Sequence, residues 1–332
     1  MGELFDVKKM EKSITKAKRR STWKTVFITV IVIITLTFCG YIVNGKITQT
    51  LALPIEVSFM HFQTISGANE FIGIKETYPG ILGGETHYKK YKLIEGKIVY
   101  TGEGGYGYGL FRDEMLGRQG MTSTMNIGGP FNAEHIDTVH YNEFGYRIMN
   151  FFYPQLDYQK VTNDLALLEE IPDEKLVEMA LSFDKGYTSK EAMALIPKGI
   201  TKTWLWVNDV YDEDLYSYHR DLDGTTILSK TPLLRHANNA YGFSVIEPSG
   251  ESTYEPAEKF IGAISSGTKF KARWQGEFKR LHNTIAGEDN KLSISDLVIN
   301  GIVVTGTAEN LKQLQGLPFI KASSLGVVVD KY

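Results

Sequence analysis

Cysteine is almost absent from this chain of 332 residues: its one cysteine, Cys39, lies within an apolar run. A single cysteine cannot form a disulfide within the chain, and it cannot supply the paired thiolates of a CxxC zinc site. The chain must therefore be stabilised by a packed core, for which a hydrophobic content of 42% is ample.

Signatures of catalysis are missing as well. The sequence contains no HExxH, no G-x-S-x-G and no GxxxxGK[ST] string. Its histidines are scattered, and the nearest approach to a metal cluster is Glu134-His135 with His140, in which the two histidines do not share a helix face. We therefore expect no catalytic, cofactor-binding or metal-binding residues, and a protein that is not an enzyme.

Charged residues are absent from residues 25–43, TVFITVIVIITLTFCGYIV. Nineteen helical residues extend about 28 Å, which is close to the ~30 Å hydrocarbon core of a bilayer. The threonines fit such a helix, because a threonine hydroxyl can bond to the preceding turn. We expect residues 25–43 to form a single transmembrane helix. A cleaved signal peptide and a lipoprotein signal with its box at Cys39 are the alternatives.

Charge divides unequally on the two sides of this apolar stretch. Residues 1–24 hold eight basic and three acidic residues, a net charge of +5, whereas residues 46–332 hold 28 basic and 36 acidic residues, a net charge of −8. Basic residues beside a span favour the cytoplasmic side. We expect a protein of the cell membrane with its N-terminus in the cytoplasm and its C-terminal region outside.

The basic tail, residues 1–24, carries a narrow apolar stripe at helical spacing. Taken alone, the residues favour a basic segment that only sets the topology and contacts anionic lipid. The alternative is a short helix that docks an intracellular partner, and its candidate contact residues are Leu4, Phe5, Val7, Met10 and Ile14.

Residues 44–160 are rich in glycine and tyrosine, and we expect a β-rich domain there. The segments 55–62 (IEVSFMHF) and 88–100 (YKKYKLIEGKIVY) are typical of strands, and Glu95-Gly96 within the second is a turn candidate. Residues 102–109 (GEGGYGYG) match no nucleotide-binding motif, and we expect a flexible surface loop there.

Residues 161–332 predict an α+β domain that begins with a strand–helix–strand unit. Apolar alternation over residues 176–183 predicts a half-buried strand. Thr188 and Glu191 form a capping box that opens the next helix, and a second strand follows over residues 200–210.

The same unit recurs near the C-terminus, by duplication or by chance. Asn300-Gly301 predicts a tight turn between two short apolar strands, Thr307 caps a helix, and residues 319–329 predict the last strand. Two such units predict an α+β region with mixed sheets and with helices on one face.

Other segments of the C-terminal region have clear local patterns. Apolar residues at helical spacing predict helices over residues 161–171, 257–264 and 274–285. The acidic, tyrosine-rich residues 211–223 predict an exposed loop. Gly40 and Asn44 are weak helix formers, and we expect the helix of the apolar stretch to end there; the alternative is a weak point that eases proteolytic release.

Several strings in this chain carry a resemblance to a known family. Residues 16–25 (KAKRRSTWKT) lead into the apolar stretch as they do in that family, and the C-terminal half is the closer match. The C-terminal strings are LSFD at 181–184, YT at 187–188, WLWV at 204–207, VTGT at 304–307, NL at 310–311 and IKASSLG at 320–326. On these strings the chain resembles the sigma factor regulator family, which includes membrane-bound anti-sigma factors of Gram-positive bacteria such as the sigma-M type of regulator.

This resemblance implies a cytoplasmic segment that binds an extracytoplasmic-function sigma factor and holds it at the membrane. It also implies an outer region that responds to envelope signals, and control of transcription without direct contact to nucleic acid. Only 24 residues precede the apolar stretch, so the segment from Leu4 to Ile14 must supply most of the contact, or a second regulatory membrane subunit must help. The alternative is a membrane-anchored extracellular binding or structural protein with no sigma partner.

Overall fold

A computed structural model describes residues 7–110, 125–126, 139–220, 227–287 and 290–332 of the chain. Its first element is a helix, α1, which spans Val7–Ile65 and extends about 88 Å at 1.5 Å per residue. Among the described residues, α1 is the one helix long and apolar enough to cross a membrane, judged by length and composition. The threonines bond to the preceding turn as expected, for example Thr35 Oγ1 to the carbonyl of Ile31 at 2.9 Å.

Two predictions about this part of the chain are wrong. The helix does not end near Gly40 and Asn44, because both residues lie inside α1. Residues 55–62 form the last turns of α1 and not a strand. The apolar residues in that segment also fit a spacing of four, and Ile55 and Phe59 are both buried on one helix face.

After α1 the chain forms a three-stranded antiparallel sheet in the order β1-β2-β3. Its strands are β1 (Phe71–Pro79), β2 (Gly83–Ile94) and β3 (Lys97–Gly109). The turn predicted at Glu95-Gly96 is confirmed, since both residues have a positive φ, as a two-residue hairpin turn requires.

The glycine-rich residues 102–109 belong to β3, so the prediction of a surface loop is wrong. Tyr106 and Tyr108 are buried, and the ring of Tyr88 on β2 lies over Gly104. A Cβ atom at Gly104 would lie 2.5 Å from that ring. The glycines therefore give the tyrosine rings room to pack flat on the neighbouring strand, a pairing that local sequence patterns do not reveal.

The rest of the described chain contains short strands, four helices and a larger sheet. In chain order the strands are β4 (Met125–Asn126), β5 (His140–Tyr141), β6 (Asn150–Phe152), β7 (Leu176–Tyr187), β8 (Thr201–Val207), β9 (Tyr216–Arg220), β10 (Ile227–Pro232), β11 (Leu234–His236), β12 (Gly242–Ser244), β13 (Ile299–Thr307) and β14 (Ile320–Val329). The helices are α2 (Ser189–Leu195), α3 (Pro256–Gly267), α4 (Gln275–Ile285) and α5 (Ala308–Leu311).

The larger sheet has five strands in the order β12-β8-β13-β7-β14, and every pair in it is antiparallel. The prediction of mixed sheets is therefore wrong. The two strand–helix–strand units do exist, as β7-α2-β8 and β13-α5-β14, but they interleave: β13 lies between β7 and β8, and β7 lies between β13 and β14. This is the split βαβ arrangement of a ferredoxin-like topology, here with β9 to β12, α3 and α4 inserted between the units.

The five-stranded sheet is buried on both faces. Helices α2 to α5 and the end of α1 cover the first face, which confirms the prediction of helices on one side. Residues around β6 and β11 cover the second face, where Trp204 and Trp206 of β8 belong to one apolar cluster. The strand over residues 176–183 is consequently buried along its whole length, and its prediction as half-buried is wrong.

The two predicted helix starts are confirmed, whereas one predicted turn is not. The capping box of Thr188 and Glu191 is present, and Thr307 accepts the amide of Asn310 at 3.2 Å. The predicted turn at Asn300-Gly301 is wrong, because β13 runs through it with only a shift of register.

The remaining predicted segments agree with the structure to different degrees. The helix over residues 161–171 is a 3-10 helix at Asp164–Glu169. The predicted loop over residues 211–223 contains β9, and its last three residues lie outside the described residues. Helices α3 and α4 form where they were predicted.

The predicted domains share one apolar cluster. Ile55, Tyr88 and Tyr106 from residues 44–160 pack in the same cluster as Leu181 and Phe260 from residues 161–332. The end of α1 and the small sheet are therefore fastened to the larger sheet, while the boundary at residue 160 stays a prediction.

Candidate functional site

Of the five residues predicted to dock a partner, three lie in the first turns of α1, namely Val7, Met10 and Ile14. Leu4 and Phe5 are outside the described residues, and α1 begins at Val7. Met10 and Ile14 are one helical turn apart, so they share a face, and about half of each side chain is exposed (52% and 53%). The described part of the predicted stripe is thus an exposed apolar pair on a basic helix.

The opposite end of α1 is inserted into an aromatic cluster. The ring of Phe59 lies 4.8 Å from that of Tyr88, 4.7 Å from that of Tyr106 and 5.6 Å from that of Trp274, between centroids. One turn later, Phe62 stacks on Trp274 at 5.4 Å. These contacts join α1 to the small sheet and to the start of α4.

A buried ion pair adds a polar connection between the two sheets. Glu178 on β7 is fully buried, and it accepts Lys92 Nζ of β2 at 2.8 Å and Asn69 Nδ2 at 2.9 Å. Beside it, Lys90 Nζ donates to Glu70 at 2.8 Å. Burial opposes ionisation of Glu70, but Lys90, Lys92 and Thr101 hold the pKa of its carboxyl below the ordinary value.

A second buried network fixes the segment after β8. Asp209 is fully buried; its Oδ1 accepts Tyr153 Oη at 2.5 Å, and Arg235 Nη2 lies 3.0 Å from its Oδ2. Arg280 of α4 donates to the backbone carbonyl of Asp209 at 2.7 Å. Burial raises the pKa of the Asp209 carboxyl, an effect that Arg235 opposes. The network joins β6, β11 and α4, and its charges are matched within it.

A cavity of about 340 Å³ opens beside the end of α1. Its volume is in the range of sites for small molecules, and its wall combines apolar with polar side chains. Elements α1, β1, β12 and α3 contribute to the wall, among others through Met60, Gln63, Phe71, Phe243 and Lys259. A molecule held there would contact α1 directly.

No group of three potential metal ligands comes together among the residues that the structure describes. Glu134 and His135 lie outside those residues. The ring of His140 meets His236 edge to face, 4.8 Å between centroids, and His236 Nδ1 donates to Asn150 Oδ1 at 2.7 Å.

The free energy of unfolding is expected to fall as the pH is lowered from about 6.5 to about 4, because His236 stays neutral in the folded protein over this range. Burial and then His140 lower the pKa of His236 to about 4, whereas histidine in an unfolded chain titrates near 6.5. The unfolded state therefore takes up the proton first, and between these two values each pH unit costs up to about 1.4 kcal/mol. Thermal unfolding of the wild type and of His236→Asn across this range tests the expectation. An unchanged slope in the variant would contradict it.

Sequence patterns missed the residues that connect α1 to the larger sheet. The predicted strand over residues 55–62 includes Phe59, and the prediction for residues 176–183 gives Glu178 no partner. One signal for a partner is present in the string LVEMALSF, where a single acidic residue lies in a mainly apolar strand and, once buried, requires a cation or a donor.

Comparison with known proteins gave one result. Residues 168–327 match the sequence model of the family described as sigma factor regulator C-terminal. The matched range begins in the 3-10 helix before β7 and ends in β14, so it contains the five-stranded sheet except for the end of β14, while α1 and the small sheet lie outside it. Neither the curated proteins nor the solved structures gave a match.

Proposed function

Because the chain carries the C-terminal domain of the sigma factor regulator family, we propose that it is a membrane-anchored anti-sigma factor. Its short N-terminal tail binds an extracytoplasmic-function sigma factor and holds it at the cell membrane. The observation that carries this proposal is the continuity of α1, which runs from the exposed tail to the aromatic cluster without a break. A second regulatory membrane subunit completes the contact if the tail alone is too small.

Membrane anchoring has support from the surface of α1. The apolar stretch at 25–43 is exposed along its length, as a lipid-facing helix is. Trp23 near one end of the stretch and Tyr41 near the other are 66% and 77% exposed, the places where aromatic side chains meet the two membrane surfaces. The basic tail favours the cytoplasmic side for the N-terminus.

The tail acts as a helix that lays its apolar pair into a groove of the sigma factor. Met10 and Ile14 supply the apolar contact, and the lysines and arginines around them attract acidic surface on the partner. We propose that the protein works by this binding and catalyses no reaction.

The outer region controls the tail through α1. A molecule that enters the cavity beside Met60 and Gln63, or a stress that disturbs the aromatic cluster, changes the packing of the last turns of α1. Such a change alters the position of α1 and thereby the affinity of the tail for the sigma factor.

Replacing Met10 and Ile14 by Asp in the full chain is expected to lower sigma factor recovery at least tenfold. Two apolar side chains buried at an interface contribute roughly 1.5–3 kcal/mol each, and their loss exceeds the ~1.4 kcal/mol of a tenfold change. The measurement is quantitative mass spectrometry of the host's sigma factors that co-purify with the tagged, detergent-solubilised protein. The matched control is Ser13→Asp with Thr15→Asp, which adds the same charge to the same turns and removes no apolar side chain.

Recovery of one sigma factor with the wild type and the control, and its loss with the Met10 and Ile14 variant, supports the proposal. If no sigma factor co-purifies with the wild type, the alternative of an anchored extracellular binding or structural protein takes its place. Equal loss in both variants would assign the effect to charge and would contradict the apolar docking surface.

A further inference from the structure

The turn between β1 and β2 is fastened to α1 at the end of the apolar stretch. Asn44 directly follows that stretch; its Nδ2 donates to the carbonyl of Gly80 at 3.1 Å, and its Oδ1 accepts the amide of Leu82 at 2.6 Å. Strand β1 starts beside the far end of α1, because Phe71 lines the same cavity as Met60. The tip of the small sheet is thus held where the apolar stretch ends.

The side chains at this tip are apolar and exposed. Ile81 is 87% exposed, and Leu110, which follows β3 and donates its amide to the Leu82 carbonyl at 3.0 Å, is 58% exposed. The turn begins with Gly80, but its next two residues, Ile81 and Leu82, are branched and apolar, at positions where turns in water usually contain Gly, Asn, Asp or Ser. Leu82 also has a φ of +53°, which a branched side chain rarely adopts, and Asn44 holds it there.

We propose that this tip, formed by Ile81, Leu82 and Leu110, rests in the outer leaflet of the lipid bilayer. The inference rests on the proposed membrane anchoring. The apolar stretch is about as long as the hydrocarbon core is thick, so Asn44 lies at the boundary between acyl chains and headgroups, and the turn that it binds lies at that level.

The composition of the surface changes away from the tip as this placement requires. Tyr78, 51% exposed, lies just behind the turn and donates its hydroxyl to Glu76 at 2.6 Å. A tyrosine with an apolar ring and a polar hydroxyl is typical of the membrane interface. Tyr41 on α1 is exposed near the same level. The sheet therefore adds a second contact with the membrane beside α1 and fixes the orientation of the outer region above the bilayer.

The test measures the contact of single labelled sites with lipid in the full chain. The native Cys39 is labelled with the fluorophore NBD, and in a Cys39→Ser background the label is placed at Ile81→Cys or at Ile74→Cys. Ile74 is a matched control, because it is an isoleucine on β1, it is 68% exposed, and it lies seven residues from Ile81. Each protein is reconstituted in vesicles of phosphatidylcholine and phosphatidylglycerol, with and without doxyl-labelled phosphatidylcholine.

We expect doxyl lipid to quench the label at 39 and at 81 and to leave the label at 74 unaffected. Quenching at 39 without quenching at 81 would overturn the placement of the tip and leave the proposed membrane span intact. The same holds if a second protein copy shields residue 81 from lipid. Absence of quenching at 39 would overturn the proposed membrane span and the inference with it. Equal quenching at 74 and 81 would also overturn the placement at the tip.

Discussion

Replacing Lys92 by Met is expected to lower the free energy of unfolding by about 3–5 kcal/mol, because it leaves a buried carboxylate without its cation. Glu178 is fully buried and accepts Lys92 Nζ on both carboxylate oxygens, at 2.9 and 2.8 Å. Asn69 and the amide of Val327 still donate to it, but neither carries a charge. The measurement is denaturant unfolding of the full chain in detergent, followed by tryptophan fluorescence.

Two further variants separate the ion pair from a loss of packing. Lys90→Met removes one partner of Glu70, which is 22% exposed and keeps Lys92 and Thr101 beside it, so this change is expected to cost less than Lys92→Met. Adding Glu178→Gln to Lys92→Met removes the buried charge and is expected to restore much of the lost stability. A cost for Lys92→Met no greater than that for Lys90→Met would show that Glu178 does not depend on Lys92.

Replacing Phe59 by Ala is expected to cost about 3–5 kcal/mol and to loosen the end of α1 from the small sheet and from α4. Phe59 is 3% exposed, and its ring contacts those of Tyr88, Tyr106 and Trp274. Removing it leaves a cavity at the point where α1, the small sheet and α4 meet. Thermal unfolding gives the loss of stability, and near-UV circular dichroism reports the loosened packing of the aromatic rings.

The neighbouring residue provides the control for Phe59. Met60 is 46% exposed, so Met60→Ala removes a side chain of similar size from the same helical turn with an expected cost well below that of Phe59→Ala. Similar effects of the two variants would mean that α1 is held by features other than the aromatic cluster.

Sequence patterns predicted those parts of the fold whose cause is local. Thr188 and Glu191 start a helix by bonds within four residues, and β7 and β8 show their period along the chain itself. The same is true of α3 and α4, whose apolar residues repeat at helical spacing. Local physics decides each of these elements, so a single sequence contains the information.

The wrong predictions share a non-local cause. Residues 102–109 form a strand because tyrosines on β2 and β3 pack over glycines across the sheet, and a glycine-rich string alone favours a loop. Residues 55–62 continue α1 because Ile55 and Phe59 reach a cluster built from distant segments. The antiparallel order of the larger sheet also arises from pairing between β7 and β13, which are separated by more than a hundred residues.

Some features of the candidate site could likewise be predicted from the sequence, and others could not. The apolar stretch, the basic tail, and Met10 with Ile14 were read from composition and spacing. Three other features depend on contacts between distant parts of the chain, and residue spacing does not predict them. They are the partner of Glu178, the cavity beside Met60 and the bond from Asn44 to the β1–β2 turn.

Replacement of the tail tests most directly the central proposal, that the tail holds a sigma factor at the membrane. Residues 2–20 of the full chain are replaced by an unrelated basic segment that preserves the orientation, and the host's sigma factors in the membrane fraction are quantified by mass spectrometry. We predict that one sigma factor is present in the membrane fraction with the wild type and leaves it with the replaced tail. An unchanged amount of every sigma factor in that fraction would contradict the claim.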